Sequence, residues 1–172
     1  MADAQTIRAI ADRHLQLLAV KPSRGFLTST TRARLGRGLR CEISEGDWRF
    51  HVDMPAKVGG DSTAPTPGVL GRGALAGCLA IGVACWAARP EIPLDSVEIE
   101  VEADFDARGE LGVEGVDPGY SEVRYRIAIA SPAAPDLLDQ LVAKVERHSP
   151  YLDVFGRALR LRRTVRLNGR KV

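Results

Sequence analysis

The chain predicts an α+β fold, and three observations carry that prediction. Segments of helical and of alternating periodicity follow one another as helix, three strands, long helix, two strands, helix, strand, which is not βαβ alternation. One long segment, Gly73 to Ala88, is uncharged and bounded by Arg72 and Arg89, so it reads as a buried central helix. The strand segments that follow it alternate apolar and charged residues and therefore have one wet face.

The first helix is predicted over Thr6 to Ala19. Ile7, Ile10, Ala11, Leu15, Leu17 and Leu18 recur at helical spacing, and Pro22 stops the helix. From Phe26 to Asp53 the texture becomes Thr- and Arg-rich. Gly36-Arg37-Gly38 and Glu45-Gly46-Asp47 are turn signals, which predict antiparallel strands at 27–35, 39–44 and 48–53. Met54 to Pro67 contains three prolines and two adjacent glycines and reads as a loop. The central helix begins near Pro67, a residue suited to a first helical turn, with Thr66 as N-cap. Arg89-Pro90 and Pro93 end it. Its glycines, Gly71, Gly73 and Gly77, suit close packing against another backbone.

Beyond it, Val97, Ile99, Val101, Ala103 and Phe105 alternate with Glu98, Glu100, Glu102, Asp104 and Asp106. Gly109 to Gly119 is a loop or turn, and Val123 to Ile129 forms a second strand carrying Arg124 and Arg126. Asp136 to Arg147 is an amphipathic helix ended by Pro150. A last strand is predicted over Leu159 to Leu167, where Leu159, Leu161, Val165 and Leu167 alternate with basic and polar residues.

At 172 residues and 18.6 kDa the chain suits a single domain. We assign 1–22 to an N-terminal helical extension and 23–172 to that domain. Apolar residues at 45% and charged residues at 27% exclude a disordered chain. A net charge of +2 gives no mandate for nucleic acid. Seven basic residues crowd Arg157 to Lys171, but no aromatic side chains are interleaved to stack bases. The arginines and glutamates of neighbouring strands are expected to neutralise one another across a solvated sheet face. Sixteen uncharged residues fall short of the roughly 20 that span a bilayer, so no membrane partner is expected. His14, His51 and His148 match no zinc spacing, so neither metal nor cofactor is expected. Three cysteines and a start without a basic-then-apolar leader point to a cytoplasmic protein with reduced thiols.

Cys78 and Cys85 lie seven residues apart on the central helix, about 10.5 Å along its axis, too far to pair. Both read as small core residues, but Cys78 has a second reading as a reactive thiolate. A guanidinium lowers a thiol's pKa, and Arg32, Arg34, Arg37 and Arg40 on the preceding hairpin, with Arg72, supply candidates.

The run Pro55-Ala56-Lys57-Val58-Gly59-Gly60, then Ala64-Pro65-Thr66-Pro67, then Gly73-Ala74-Leu75-Ala76-Gly77-Cys78-Leu79-Ala80, resembles the centre of the OsmC/Ohr family. These are osmotically inducible and organic-hydroperoxide-resistance proteins, and the resemblance covers roughly residues 28–168. It implies antiparallel sheets packed on a long central helix in an intertwined homodimer. It also implies that Cys78 attacks the peroxide oxygen and that Arg40 activates it; Arg37, on the same hairpin, is the weaker candidate. The family's resolving cysteine falls at Ser149, which cannot form a disulfide, and its helix glutamate falls at Gly68. Cys41 is a poor substitute resolver, because strand alternation points it away from the Arg40 side. Two readings follow. One is hydroperoxide reduction with an external thiol as resolver. The other is a non-catalytic OsmC-like protein that binds a small apolar ligand at the dimer interface.

Overall fold

A computed structural model describes residues 3–171. Helix α1 (Ala4–Val20) is capped by Asp3, whose carboxylate accepts from the Thr6 N–H. Strands β1 (Arg32–Leu35), β2 (Cys41–Glu45) and β3 (Trp48–Val52) form an antiparallel meander. Helix α2 (Pro67–Ala88) follows the proline-rich loop, with Thr66 as N-cap and Pro67 in its first turn, as the sequence predicts. Strands β4 (Ser96–Phe105) and β5 (Tyr120–Ala130) form a second antiparallel ladder, with a single helical turn, α3 (Ala107–Glu110), near the start of their connection. Helices α4 (Pro135–Arg147) and α5 (Pro150–Gly156) come next, and a short hairpin, β6 (Arg166–Leu167) with β7 (Arg170–Lys171), closes the chain.

The core is a stripe of α2 packed between β4–β5 and α4. Leu75, Leu79, Val83 and Ala87 recur every fourth residue and are buried, together with Ile92, Leu141 and Val145. The opposite face of the central helix is left partly open within the chain. Ile81, on the far side, is 67% exposed, and Cys85 is exposed too. The helix is long and apolar enough to cross a membrane by length and composition, but its buried stripe packs against this chain's own strands and α4.

The wet face of β4–β5 is the charge ladder that the alternation implies. Glu100 pairs in register with Arg126 and Glu102 with Arg124, and both couples form ion pairs, at 3.3 and 3.5 Å.

Two expectations fail. No strand forms over Leu159–Leu161, because no neighbouring edge pairs with it. The chain runs without regular structure to Val165 and then turns at Asn168-Gly169, both with positive φ, into β6–β7. That Asn-Gly dipeptide was the hairpin signal. Pro150 does not merely end α4 but opens α5, occupying the first turn behind the Ser149 N-cap. Within one chain, a Cβ at Gly71, Gly73 or Gly77 would meet open space, so this chain itself makes no close approach there. The tight contact along this helix is at Gly82, where a Cβ would lie 3.1 Å from the Val145 side chain of α4.

Candidate functional site

The α2 helix carries Cys78 one turn beyond the buried Leu75, and the α4–α5 corner carries Ser149 one turn before Leu152. These two segments meet. The Cys78 Sγ lies 3.5 Å from the Ser149 Oγ, in a part-buried setting. Ser149 is 6% exposed, and its hydroxyl also accepts from the Leu152 N–H at 3.3 Å, which caps α5.

The corner that presents Ser149 is held from both sides. Its N–H donates to the Glu146 carbonyl, and its carbonyl accepts from the Asp153 N–H. The adjacent His148 packs on Trp86 of α2 with centroids 4.8 Å apart, and its Nδ1 lies 2.8 Å from the Lys144 carbonyl. The Arg89 guanidinium stands 4.0 Å from the same indole and the Lys144 ammonium 4.9 Å, contacts that favour cations on an aromatic face.

Leu75 and Leu152, each one turn from the Cys78–Ser149 pair, line a groove of about 600 Å³ with Tyr120, Val123, Tyr125 and Phe155. Tyr120 stacks parallel to Phe155 with centroids 6.5 Å apart. The Tyr125 hydroxyl donates to Glu146 at 2.8 Å; burial foremost, and then that carboxylate, raise its pKa above the usual phenol value. Such a wall, apolar with a few fixed polar groups, suits a small organic molecule.

At the groove's rim, Arg72 Nη1 donates to the Tyr120 hydroxyl at 3.1 Å. This pair fills the space at Gly68, where a Cβ would lie 3.3 Å from Arg72 Nη1 and 3.5 Å from the Tyr120 oxygen. The position that the resemblance gives to a glutamate is thus beside a guanidinium. Arg72 itself reaches back towards the start of α2, away from Cys78.

Arg40 and Arg37 do not reach the thiol within one chain. Arg37 sits in the β1–β2 turn and Arg40 just before β2, both exposed, and no hydrogen bond or ion pair among the described residues joins either to Cys78. Cys41 points into a second apolar groove of about 480 Å³, lined with Leu35, Leu39, Ile43, Phe50 and Leu70.

Sequence reasoning missed Asp53 as the organiser of the loop leading into α2. Its buried carboxylate accepts from the N–H groups of Met54, Asp61 and Thr63 and from the Thr63 hydroxyl. The signal was an aspartate at a strand end before a proline- and glycine-rich loop, where free N–H groups need acceptors.

The comparisons with known proteins agree on the fold. An organic hydroperoxide resistance protein OsmC from Legionella pneumophila superposes with a TM-score of 0.56 at 23% identity, over 76% of this chain and 90% of that one. An OsmC-like protein from Mycoplasma pneumoniae does so with a TM-score of 0.64 at 14% identity, over 76% and 88%. An organic hydroperoxide resistance protein from Elizabethkingia anophelis gives 0.57 at 17% identity, over 75% and 88%. No curated protein matches the chain in sequence. The family model described as OsmC-like protein matches residues 59–162, from the loop that Asp53 organises through Cys78 and Ser149 to the basic C-terminal stretch. Covering more than half of the sequence, that match makes this chain a member of the OsmC-like family.

Proposed function

We propose that the protein reduces organic hydroperoxides with Cys78 as its nucleophile and an external thiol as its resolving partner. The observation that carries this reading is the seating of Cys78 against Ser149, one turn from an apolar groove. Structural neighbours named as hydroperoxide resistance proteins support it.

In the first step the Cys78 thiolate attacks the peroxide oxygen that bears hydrogen. The O–O bond breaks, an S–OH forms, and the departing alkoxide takes a proton from water to leave as an alcohol. A cysteine at position 149 would then close a disulfide, but a serine cannot. An external thiol therefore displaces hydroxide, lost as water, to form a mixed disulfide. A second thiol attacks that disulfide and restores Cys78, leaving the reductant oxidised.

The same reading assigns the activating guanidinium to Arg40, with Arg37 as the weaker candidate, and brings it to Cys78 from the partner in an intertwined homodimer. Support for the homodimer comes from apolar surface left open in one chain. Leu35, Leu39 and Phe50 on the meander are 56, 40 and 42% exposed, and Ile81 lies bare on α2.

Consumption of cumene hydroperoxide in the presence of dithiothreitol tests this function. Wild-type protein turns over, Cys78→Ser does not, and an oxygen-atom mass increase falls on Cys78. Should Cys78 stay reduced while the groove binds an apolar ligand, the non-catalytic reading replaces this one.

A further inference from the structure

The Ser149 hydroxyl has two neighbours among the described residues, and they constrain it in opposite senses. The Leu152 N–H can only donate, so it takes one lone pair of Oγ. The hydroxyl proton must then find an acceptor, and the one within reach is the Cys78 sulfur, at 3.5 Å. Ser149 is buried, so water does not readily relieve an unused O–H, and leaving such a donor unsatisfied is costly.

A thiol and a thiolate answer that demand differently. The thiol is a weak donor and a weak acceptor, and as a donor it would point its own proton at an oxygen that already accepts one. The thiolate is a pure acceptor with full charge, and a hydrogen bond to a charged group is the stronger kind. When Cys78 loses its proton to solvent, the Ser149 O–H can turn fully onto the sulfur without giving up the Leu152 cap.

We infer that Ser149 is a positioning residue that stabilises the Cys78 thiolate, a role separate from resolving it and independent of any guanidinium from the hairpin. The inference rests on the reading of Cys78 as the reacting thiol. It gives the serine at the resolving position a use: what the site loses in internal disulfide chemistry it gains as a fixed donor to the nucleophile. The rigidity that such a donor needs is present, because backbone hydrogen bonds on both sides hold Ser149 and the His148–Trp86 contact holds the corner on which it stands.

Rates of Cys78 alkylation by iodoacetamide, followed by peptide mass across pH, test this in the full-length protein. Ser149→Ala is expected to raise the apparent pKa by about one unit, a tenfold loss of thiolate at neutral pH. Because alanine also shrinks the side chain, the pair Ser149→Thr and Ser149→Val, alike in shape and differing in the hydroxyl, supplies the control. Threonine keeps the hydroxyl and should titrate as wild type, whereas valine should follow alanine. Coincident titration of all four proteins, or threonine shifting as far as valine, would overturn the inference. A Cys78 that ignores cumene hydroperoxide but whose titration still follows the hydroxyl would remove the peroxidase reading and leave this role standing.

Discussion

Thr63 donates twice to one oxygen of Asp53, through its backbone N–H at 3.0 Å and its hydroxyl at 2.8 Å. Together with the Met54 and Asp61 N–H groups, these bonds fold the loop that delivers the chain from β3 into α2. The Thr63 N–H foremost, with the Thr63 hydroxyl and the other N–H groups, outweighs burial and holds the Asp53 carboxyl at about 2, below its ordinary value of 3.8. A depressed folded-state pKa stabilises the protein above the unfolded value and loses that effect as pH falls through the folded one. Thermal melts should therefore drop between about pH 4 and pH 2 on this account. Asp53→Asn should show a smaller drop there and, at pH 7, a Tm lower by on the order of 5 °C. Equal slopes for the two proteins would remove Asp53 from the acid transition.

Gly60 faces the same loop from inside. A Cβ there would sit 1.9 Å from the Met54 carbonyl oxygen and 2.9 Å from an Asp53 carboxylate oxygen. No rotamer relieves a clash with backbone, so Gly60→Ala must push the loop off Asp53. A loss of about 3 kcal/mol in urea unfolding is expected. Gly77→Ala is the contrast within a single chain, because nothing lies within 4 Å of its Cβ.

Much of this organisation was legible from sequence, and what escaped shares a cause. Alternation marked β4 and β5 because one face is wet and the other packs on Leu75, Leu79 and Val83. Thr66-Pro67 marked the start of α2 because capping is local chemistry. The same chemistry stands at Ser149-Pro150, but a proline after a helical run reads as a stop before it reads as the first residue of the next helix. The Leu159–Leu167 alternation misled because period two describes a strand only where an edge exists to pair with it. Cys78 stood out as a candidate thiolate from the arginines around it, and family resemblance gave it the nucleophile's role, whereas its contact with Ser149 depends on how α4 lies across α2, which no local pattern encodes. The resemblance also sets Arg40 beside Cys78, and a single chain does not bring the two together.

An apolar meander face left open predicts association. Sedimentation at micromolar concentration should give a dimer, and Phe50→Glu should shift it towards monomer. That glutamate would place a charge among Leu35, Leu39 and Ile43, a desolvation cost that a buried interface does not tolerate. If the partner chain also supplies Arg40, the same variant should slow Cys78 alkylation at neutral pH, because separating the chains removes that guanidinium. A wild-type protein that sediments as a compact monomer would sink the shared site.

Ser149→Cys converts the contact into chemistry. The wild-type side chains stand 3.5 Å apart, so a cysteine sulfur in place of the oxygen must close about 1.5 Å to reach the disulfide length of about 2.05 Å. Such a variant, oxidised with one equivalent of cumene hydroperoxide, should lose two hydrogens in mass and show, by peptide mapping, a crosslink between Cys78 and the introduced thiol. Wild-type protein under the same conditions should instead accumulate Cys78 sulfenic acid and, with excess peroxide, the irreversible sulfinic acid. Cys85 cannot intercept the sulfenic acid, since it lies two turns further along the same helix and is directed to solvent. The variant should consequently survive repeated peroxide cycles with dithiothreitol severalfold longer than wild type. Sulfinic acid accumulating equally in both would show that Cys78 and position 149 do not meet in solution as they do here.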